Sequence, residues 1–209
     1  MLPAKYVDQH EPFVPLLCEG MPDSMSDGVD PNRVLHKTCW QKEKEDCMQR
    51  EITDARSFWS ALSLRATSVA IVTAAGESGP SGFLALSAAH FTPSPPTMTV
   101  SVSLTTSAYV DIVESQHFAI NYLSKDAVDV YQRFSARDAP KGTERFSSLA
   151  YKSGKSGAPI FSAITGALEC KVEEIIKRHG TALVIGTIIL AHDNEAKLPM
   201  VHYRGAIIE

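Results

Sequence analysis

Cysteine is scarce in this chain and unpatterned. The 209 residues contain four: Cys18, Cys39, Cys47 and Cys170. None forms a Cys-x-x-Cys pair, so the sequence spells neither a disulfide framework nor a dithiol centre. His36 and Cys39 have metal-ligand spacing and Cys47 is nearby. Structural zinc needs four well-spaced ligands, however, so free thiols are the plainer reading, with a haem or metal role for His36 or Cys39 as the alternative. The seven histidines include no His-x-His or His-x-x-x-His pair, and no metal site is expected. No Gly-x-Ser-x-Gly elbow is present, which weakens a hydrolase reading. No Gly-x-Gly-x-x-Gly opens a strand–helix unit, which argues against a Rossmann nucleotide site. No apolar run approaches the roughly 18–20 residues of a membrane span. A formal net charge of -4 gives no footprint for nucleic acid or an anionic membrane. No basic-then-apolar leader is visible, so a cytoplasmic location is expected.

The chain divides by composition. Residues 1–54 hold Pro3, Pro12, Pro15, Pro22 and Pro31 and no sustained periodicity. They read as an N-terminal extension, partly irregular, with Phe13, Leu16, Leu17 and Trp40 as apolar anchors for docking on another surface. Residues 55–209 read as the main domain, long enough for a sizeable core.

Within that domain the most informative stretch runs from Gly82 to Pro96. Small residues and single hydroxyls fill a strand-like run that stops at Pro95-Pro96. A second apolar strand, Thr97–Ser103, follows at once, then the hydroxyl cluster Thr105-Thr106-Ser107. Small side chains let a flat ligand lie against backbone. Hydroxyls after a strand and before a helix suit an anionic group. Together they point to a planar, phosphate-bearing cofactor.

Periodicity supplies the frame. Asp54 is a candidate cap for a helix carrying Phe58, Trp59, Leu62 and Leu64 toward a core. Strands are expected at 69–75, 82–91, 97–103, 118–123, 166–176, 181–191 and 200–204. Helices are expected near 107–115, with Ile112 and Val113 on the apolar side, and near 125–135. Residues 136–162 look like a long excursion. The run 181–191 is apolar enough for a strand buried on both sides. Strands follow one another too closely for parallel crossovers, so a mainly β, antiparallel, Greek-key-like barrel with peripheral helices fits best.

Gly154-Lys155-Ser156 resembles the end of a nucleotide phosphate loop. That pattern needs glycine where Leu149 stands and a helix where Pro159 stands, so it is set aside. Arg133, Arg137, Lys141 and Arg145 cluster around a helix end and read as a solvated face, or else as contacts for nucleotide phosphates.

The order of these segments resembles the flavin reductase-like family of FMN-binding split barrels, from about Phe58 to Gly205. The resemblance rests on Gly82 through Pro96, on Ser107-Ala108-Tyr109 with Asp111-Ile112-Val113, and on His117 through Leu123. It continues through Arg133-Phe134, Glu144-Arg145-Phe146, Gly157-Ala158-Pro159-Ile160, Leu168–Val172, Leu183–Gly186 and His202-Tyr203-Arg204-Gly205. It implies a homodimer that binds FMN, or FAD, and reduces it with NADH or NADPH. It also implies a possible flavin-dependent monooxygenase as partner. The flavin would carry the chemistry while protein groups position it, and no catalytic side chain is assigned.

By that resemblance Leu84, Ala85, Leu86, Ser87, Ala88 and Ala89 lie along the flavin. Ser101 and Ser103 face its ribityl chain, and Thr105, Thr106 and Ser107 meet the phosphate. His179, Thr181, Tyr203 and Arg204 lie on the nicotinamide or substrate side. The family often carries hydroxyls where Leu84 and Leu86 stand, and a histidine where Thr181 stands. Two alternatives therefore stay open: a cofactor-binding protein of the same fold without turnover, and a flavin- or haem-dependent oxidase.

Overall fold

The computed structural model describes residues 49–136 and 138–208. Expectations for residues 1–48, including Cys18, His36, Cys39 and Cys47, and for Arg137 fall outside the described residues. The strands are β1 (Thr67–Ser68), β2 (Ala70–Gly76), β3 (Gly79–Ala85), β4 (Ala89–Pro93), β5 (Pro96–Ser103) and β6 (His117–Leu123). They continue with β7 (Tyr151–Ser153), β8 (Pro159–Phe161), β9 (Ile164–Arg178), β10 (Thr181–Asp193), β11 (Val201–Tyr203) and β12 (Ala206–Ile208). The α-helices are α1 (Ala55–Leu62), α2 (Ser107–Ser115) and α3 (Val128–Ser135), with a 3-10 turn at Gly142–Phe146.

Seven strands form one antiparallel sheet in the order β3-β2-β6-β9-β10-β5-β4. β3 and β4 are consecutive in the chain yet occupy opposite edges. Leu86, Ser87 and Ala88 must carry the chain across, so the sheet curls into a barrel with a seam there. The expected single strand over 82–91 is therefore two strands, because the seam falls inside it. Ser87 closes the seam: its hydroxyl donates to Ser101 O at 3.3 Å and accepts from Ser101 N at 3.1 Å.

β2 is buried on both faces. Ala70, Val72 and Ala74 join Val100, Val102, Phe118, Cys170 and Val184 in one apolar cluster. Val69 and Ile71 join Leu123, Phe134, Phe146 and Phe161 in another. Each fully buried Val, Ile or Phe contributes roughly 1.5–3 kcal/mol relative to exposure. Gly186 of β10 lets β10 pass close to Phe118, since a Cβ there would lie 2.6 Å from its ring. A β-bulge at Ile185/Gly186 bends the long strand.

The expectation that 181–191 is buried on both sides is corrected. Ala182, Val184 and Ile185 are buried, but Leu183, Ile189 and Leu190 are exposed. No described helix covers that outer face. The first helix differs too. Asp54 caps it as expected, accepting from Ser57 N at 2.7 Å, but no residue of α1 is buried. Phe58, Trp59 and Leu64 are all exposed, so the helix flanks the barrel instead of feeding its core. Val113 of α2 likewise faces outward while Ile112 is buried.

The excursion over 136–162 is core-forming. Phe146, Ala158, Ile160 and Phe161 are buried in the second cluster. Phe146 stacks on Phe161 at 5.8 Å and meets Phe134 edge-on at 5.5 Å. Asn121 anchors β8: its Oδ1 accepts from Phe161 N at 3.0 Å, and its Nδ2 donates to Thr73 Oγ1 at 3.1 Å and Pro159 O at 3.2 Å.

The loop holding Gly154-Lys155-Ser156 does grip an anion, but the anion belongs to the protein. Glu169 on β9 is fully buried. Its Oε2 accepts from Ser156 N at 2.5 Å, and its Oε1 meets His192 Nε2 at 2.7 Å. A Cβ on Gly154 would fall 2.6 Å from that carboxylate. Burial pushes the carboxyl up. Hydrogen bonds from Ser156, His192 and the Lys155 backbone outweigh it and hold the value down to about 2, from an ordinary 4.5.

Ionised Glu169 therefore stabilises the fold fully above its unfolded value. That contribution, of order 3 kcal/mol, drains away as pH falls toward about 2. Glu169→Gln should lose roughly that amount at neutral pH in denaturant unfolding and show a flatter stability profile below pH ~4.5. A mutant profile parallel to wild type would place the acid sensitivity elsewhere.

Candidate functional site

The seam leaves a groove of about 630 Å³, within the range of cofactor and ligand sites. One wall is apolar: Leu84, Ala85 and Leu86 come from the end of β3, and Phe58, Trp59 and Leu62 from α1. The other is hydroxylated: Ser87, Ser101, Ser103 and Thr181 all line it. Their convergence follows from register. Ser101 and Ser103 sit two apart on β5 and so face one side. Thr181 of β10 pairs directly with Ser103, which puts its side chain on that same side.

The hydroxyl row continues past the groove. Ser103 Oγ and Thr105 Oγ1 are 2.9 Å apart, and Thr105 N donates to Ser103 Oγ at 3.3 Å. Thr106 then takes the N-cap position of α2 in extended conformation, and its side chain makes no capping hydrogen bond. The hydroxyls thus lead toward a helix N-terminus, where backbone N–H groups and the helix dipole favour an anion. Among the described residues, the only charged side chain lining the groove is Arg65. Its Nη2 donates to Leu86 O at 3.1 Å, which fixes the guanidinium at the seam.

Of the residues expected at the site, Leu84, Ala85, Leu86, Ser87, Ser101, Ser103 and Thr181 share this groove. Ala88 packs against an apolar cluster, and Ala89 is exposed at the start of β4. The Ser87 hydroxyl bonds the Ser101 backbone, which limits what it can offer a ligand. Ser107 lines a separate groove with Ser81, Asp111 and Thr143. His179 and Gly180, both at positive φ, form the two-residue turn between β9 and β10. Arg204 and Gly205 do the same between β11 and β12. Arg204 Nε donates to Tyr203 Oη at 3.1 Å.

Sequence reading missed Arg65 and misplaced Phe58 and Trp59. Nothing in Leu64-Arg65-Ala66 marks a site, and an apolar helical face reads the same whether it meets a core or a groove. Cys170, by contrast, is no candidate nucleophile: burial pushes its thiol up to about 12, with Glu169 adding to the effect.

Such a groove, apolar on one side and hydroxylated toward a helix N-terminus, fits a flat aromatic ring with a phosphate-bearing tail. The architecture defines a class, the cofactor-binding split barrels. Within that class this chain belongs to the flavin reductase family: the family model described as "Flavin reductase like domain" matches residues 62–208. It is 32% identical over 142 residues to a protein of Rhizobium meliloti (strain 1021) named "Probable flavin reductase", covering 68% of this chain and 44% of that one. It is 29% identical to the reductase component of a flavin-dependent trigonelline monooxygenase from Acinetobacter baylyi, covering 66% and 42%. The chain thus spans less than half the length of these two relatives. An NADH:FAD oxidoreductase of Streptomyces globisporus C-1027 has the same fold, with TM-score 0.70 at 22% identity over 78% of this chain and 98% of that one.

Ser87→Ala should remove both seam hydrogen bonds and lower unfolding free energy by about 1–2 kcal/mol, measured by urea denaturation. Unchanged stability would show that the seam closes without it.

Proposed function

We propose that this chain is an NAD(P)H-dependent flavin reductase that binds FMN in the seam groove. The observation that carries this is the meeting of an apolar slot with the row Ser87–Ser101–Ser103–Thr181, which runs on through Thr105 to the N-terminus of α2. Bound flavin supplies the redox chemistry, accepting a hydride equivalent from reduced nicotinamide. The protein's part is positional. Leu84, Leu86 and the α1 aromatics exclude water from one face of the slot, and Ala85 keeps backbone close to it. Ser101 and Ser103 hold the polar chain, and Thr105, Thr106 and the first N–H groups of α2 hold the phosphate. Because Ser107 turns its side chain toward another groove, its contribution there is its N–H. Thr181, with His179 beyond it, stands on the nicotinamide side, and Tyr203 and Arg204 close the neighbouring edge.

The functional unit in this reading is a homodimer. Ile176, Leu183, Ile189 and Leu190 on β9 and β10, with Phe91 on β4, leave an exposed apolar surface that a two-fold partner would cover. The reduced flavin would pass to a flavin-dependent monooxygenase; the Acinetobacter relative is named as the reductase component of such an enzyme. A cytoplasmic setting suits a nicotinamide substrate.

One observation favours a second reading. Leu84 and Leu86 present no side-chain donors to the slot, so a flavin held there without turnover is the alternative. Two measurements separate them: FMN affinity by flavin fluorescence, and NADH or NADPH oxidation with added FMN. Binding with oxidation supports the reductase; binding without it supports the second reading; no flavin binding defeats both. Thr105→Ala with Thr106→Ala should weaken FMN by about 1–3 kcal/mol, as for hydrogen bonds to a charged group. Riboflavin, which has no phosphate, should change much less. Equal losses for the two ligands would move the phosphate elsewhere.

A further inference from the structure

The hairpin of β2 and β3 turns two glycines toward α2, and a groove of about 430 Å³ lies there. Register sets this face. Gly76 pairs with Gly79, and Ala74 with Ser81, so all four positions point to one side of the sheet. Ala74 packs in the same apolar cluster as Ile112 of α2, which identifies that side as the one α2 covers. The glycines leave room on it. A Cβ on Gly76 would overlap the Asp111 carboxylate, 2.9 Å from even its farther oxygen, and one on Gly79 would fall 2.9 Å from Thr143 Cγ2. Directly paired Cβ positions are about 5 Å apart, so the Asp111 carboxylate and the Thr143 side chain lie within roughly 11 Å of each other. Ser107 stands one helical turn before Asp111, on the same face of α2, and joins the lining.

The polar groups gathered here want partners. Ser81 is only 3% exposed, and its Oγ has no hydrogen-bond partner. A buried hydroxyl left unmatched is costly. Asp111 is half-buried, and its carboxylate makes no ion pair or hydrogen bond among the described residues. Among the described residues, no lysine, arginine or histidine lines the groove, so the one charge in it is negative. Every polar side chain there, carboxylate or hydroxyl, can accept a hydrogen bond. Pro80 and Val110 add apolar surface. What the groove lacks is a positive charge that carries several donors.

We propose that this groove binds a small aliphatic amine as its ammonium ion, with Asp111 as counter-ion and the Ser81, Ser107 and Thr143 hydroxyls accepting its N–H groups. A compact ammonium presents its donors in different directions. That suits acceptors drawn from β3, α2 and the 3-10 turn better than a planar guanidinium does. One carboxylate matches one ammonium, so a monoamine with a short alkyl chain against Pro80 and Val110 fits better than a diamine. The groove shares no lining residue with the seam groove, and amine binding there does not depend on flavin.

The test is an amide chemical-shift titration by NMR of the full-length, flavin-free chain with n-butylammonium chloride at constant ionic strength. Saturable shifts are expected at the Ser81, Ser107, Asp111 and Thr143 amides. n-Butanol, which has the same chain and no charge, should produce none at the same concentrations. Butyltrimethylammonium, charged but without N–H groups, should bind about threefold more weakly or worse. Asp111→Asn should weaken butylammonium about tenfold, as expected for losing a charged hydrogen-bond partner, and Ser81→Ala should weaken it less. Gly76→Ala, which sets a methyl group against the carboxylate, should also weaken it. Neither Asp111 nor Ser81 has a side-chain partner within the described protein, so both variants should unfold in urea at the wild-type midpoint. No saturable shift with butylammonium, an equal response to n-butanol, or unchanged affinity in Asp111→Asn overturns the amine site. Should Asp111→Asn fail to fold, unchanged affinity in Ser81→Ala and Gly76→Ala overturns it as well.

Discussion

The site depends on one constraint: consecutive strands β3 and β4 occupy opposite edges of the same sheet. Three residues must bridge those edges, so the sheet curls and the bridge becomes the floor of a groove. Ser87 makes this bridge definite by exchanging hydrogen bonds with both backbone groups of Ser101. Arg65 adds a second tie at Leu86 O. The groove is thus a consequence of closure, and its lining is whatever the bridge and its neighbours place there. The small side chain of Ala85 leaves room, and the β5–β10 register supplies the hydroxyls.

The rest of the fold keeps that seam rigid. β2 and β6 are buried on both faces, so the strands beside β3 cannot shift without disturbing two apolar clusters. The excursion over 136–162 closes the outer cluster through the Phe134, Phe146 and Phe161 rings. Asn121 bonds it to the sheet, and Glu169 fastens the Gly154–Gly157 loop. That loop illustrates how a local motif can be right about chemistry and silent about its partner. Backbone N–H groups near small residues do receive an anion there, but it is a buried carboxylate of the adjacent strand.

Much of the frame was legible in the sequence. The helix at 107–115 matches α2, the strand at 118–123 matches β6 within a residue, and the Asp54 cap is present. The hydroxyl residues at 87, 101, 103 and 181 converge because spacing by two along a strand and antiparallel pairing are regular. What was not legible depends on tertiary placement. The break at 86–88 carries no turn residue, since the chain crosses a barrel seam without reversing. The face of α1 is apolar yet lines a groove, and an apolar stripe does not declare which surface it will meet. The outer face of β10 is apolar for the same reason, with no covering helix in the described residues. Arg65 could be found only after folding, because its significance lies in a backbone carbonyl 21 residues away.

The central claim is that flavin lies in the seam groove against β5. Ser101 is the position that tests it, since its side chain lines the groove while its backbone bonds to Ser87 remain available to any residue. The decisive measurement is a titration of FMN by quenching of isoalloxazine fluorescence, comparing wild type with Ser101→Phe, with circular dichroism confirming that both are folded. The account predicts saturable quenching for wild type and at least a tenfold loss of affinity when the phenyl ring fills the slot. Equal FMN affinity in the two proteins would contradict it.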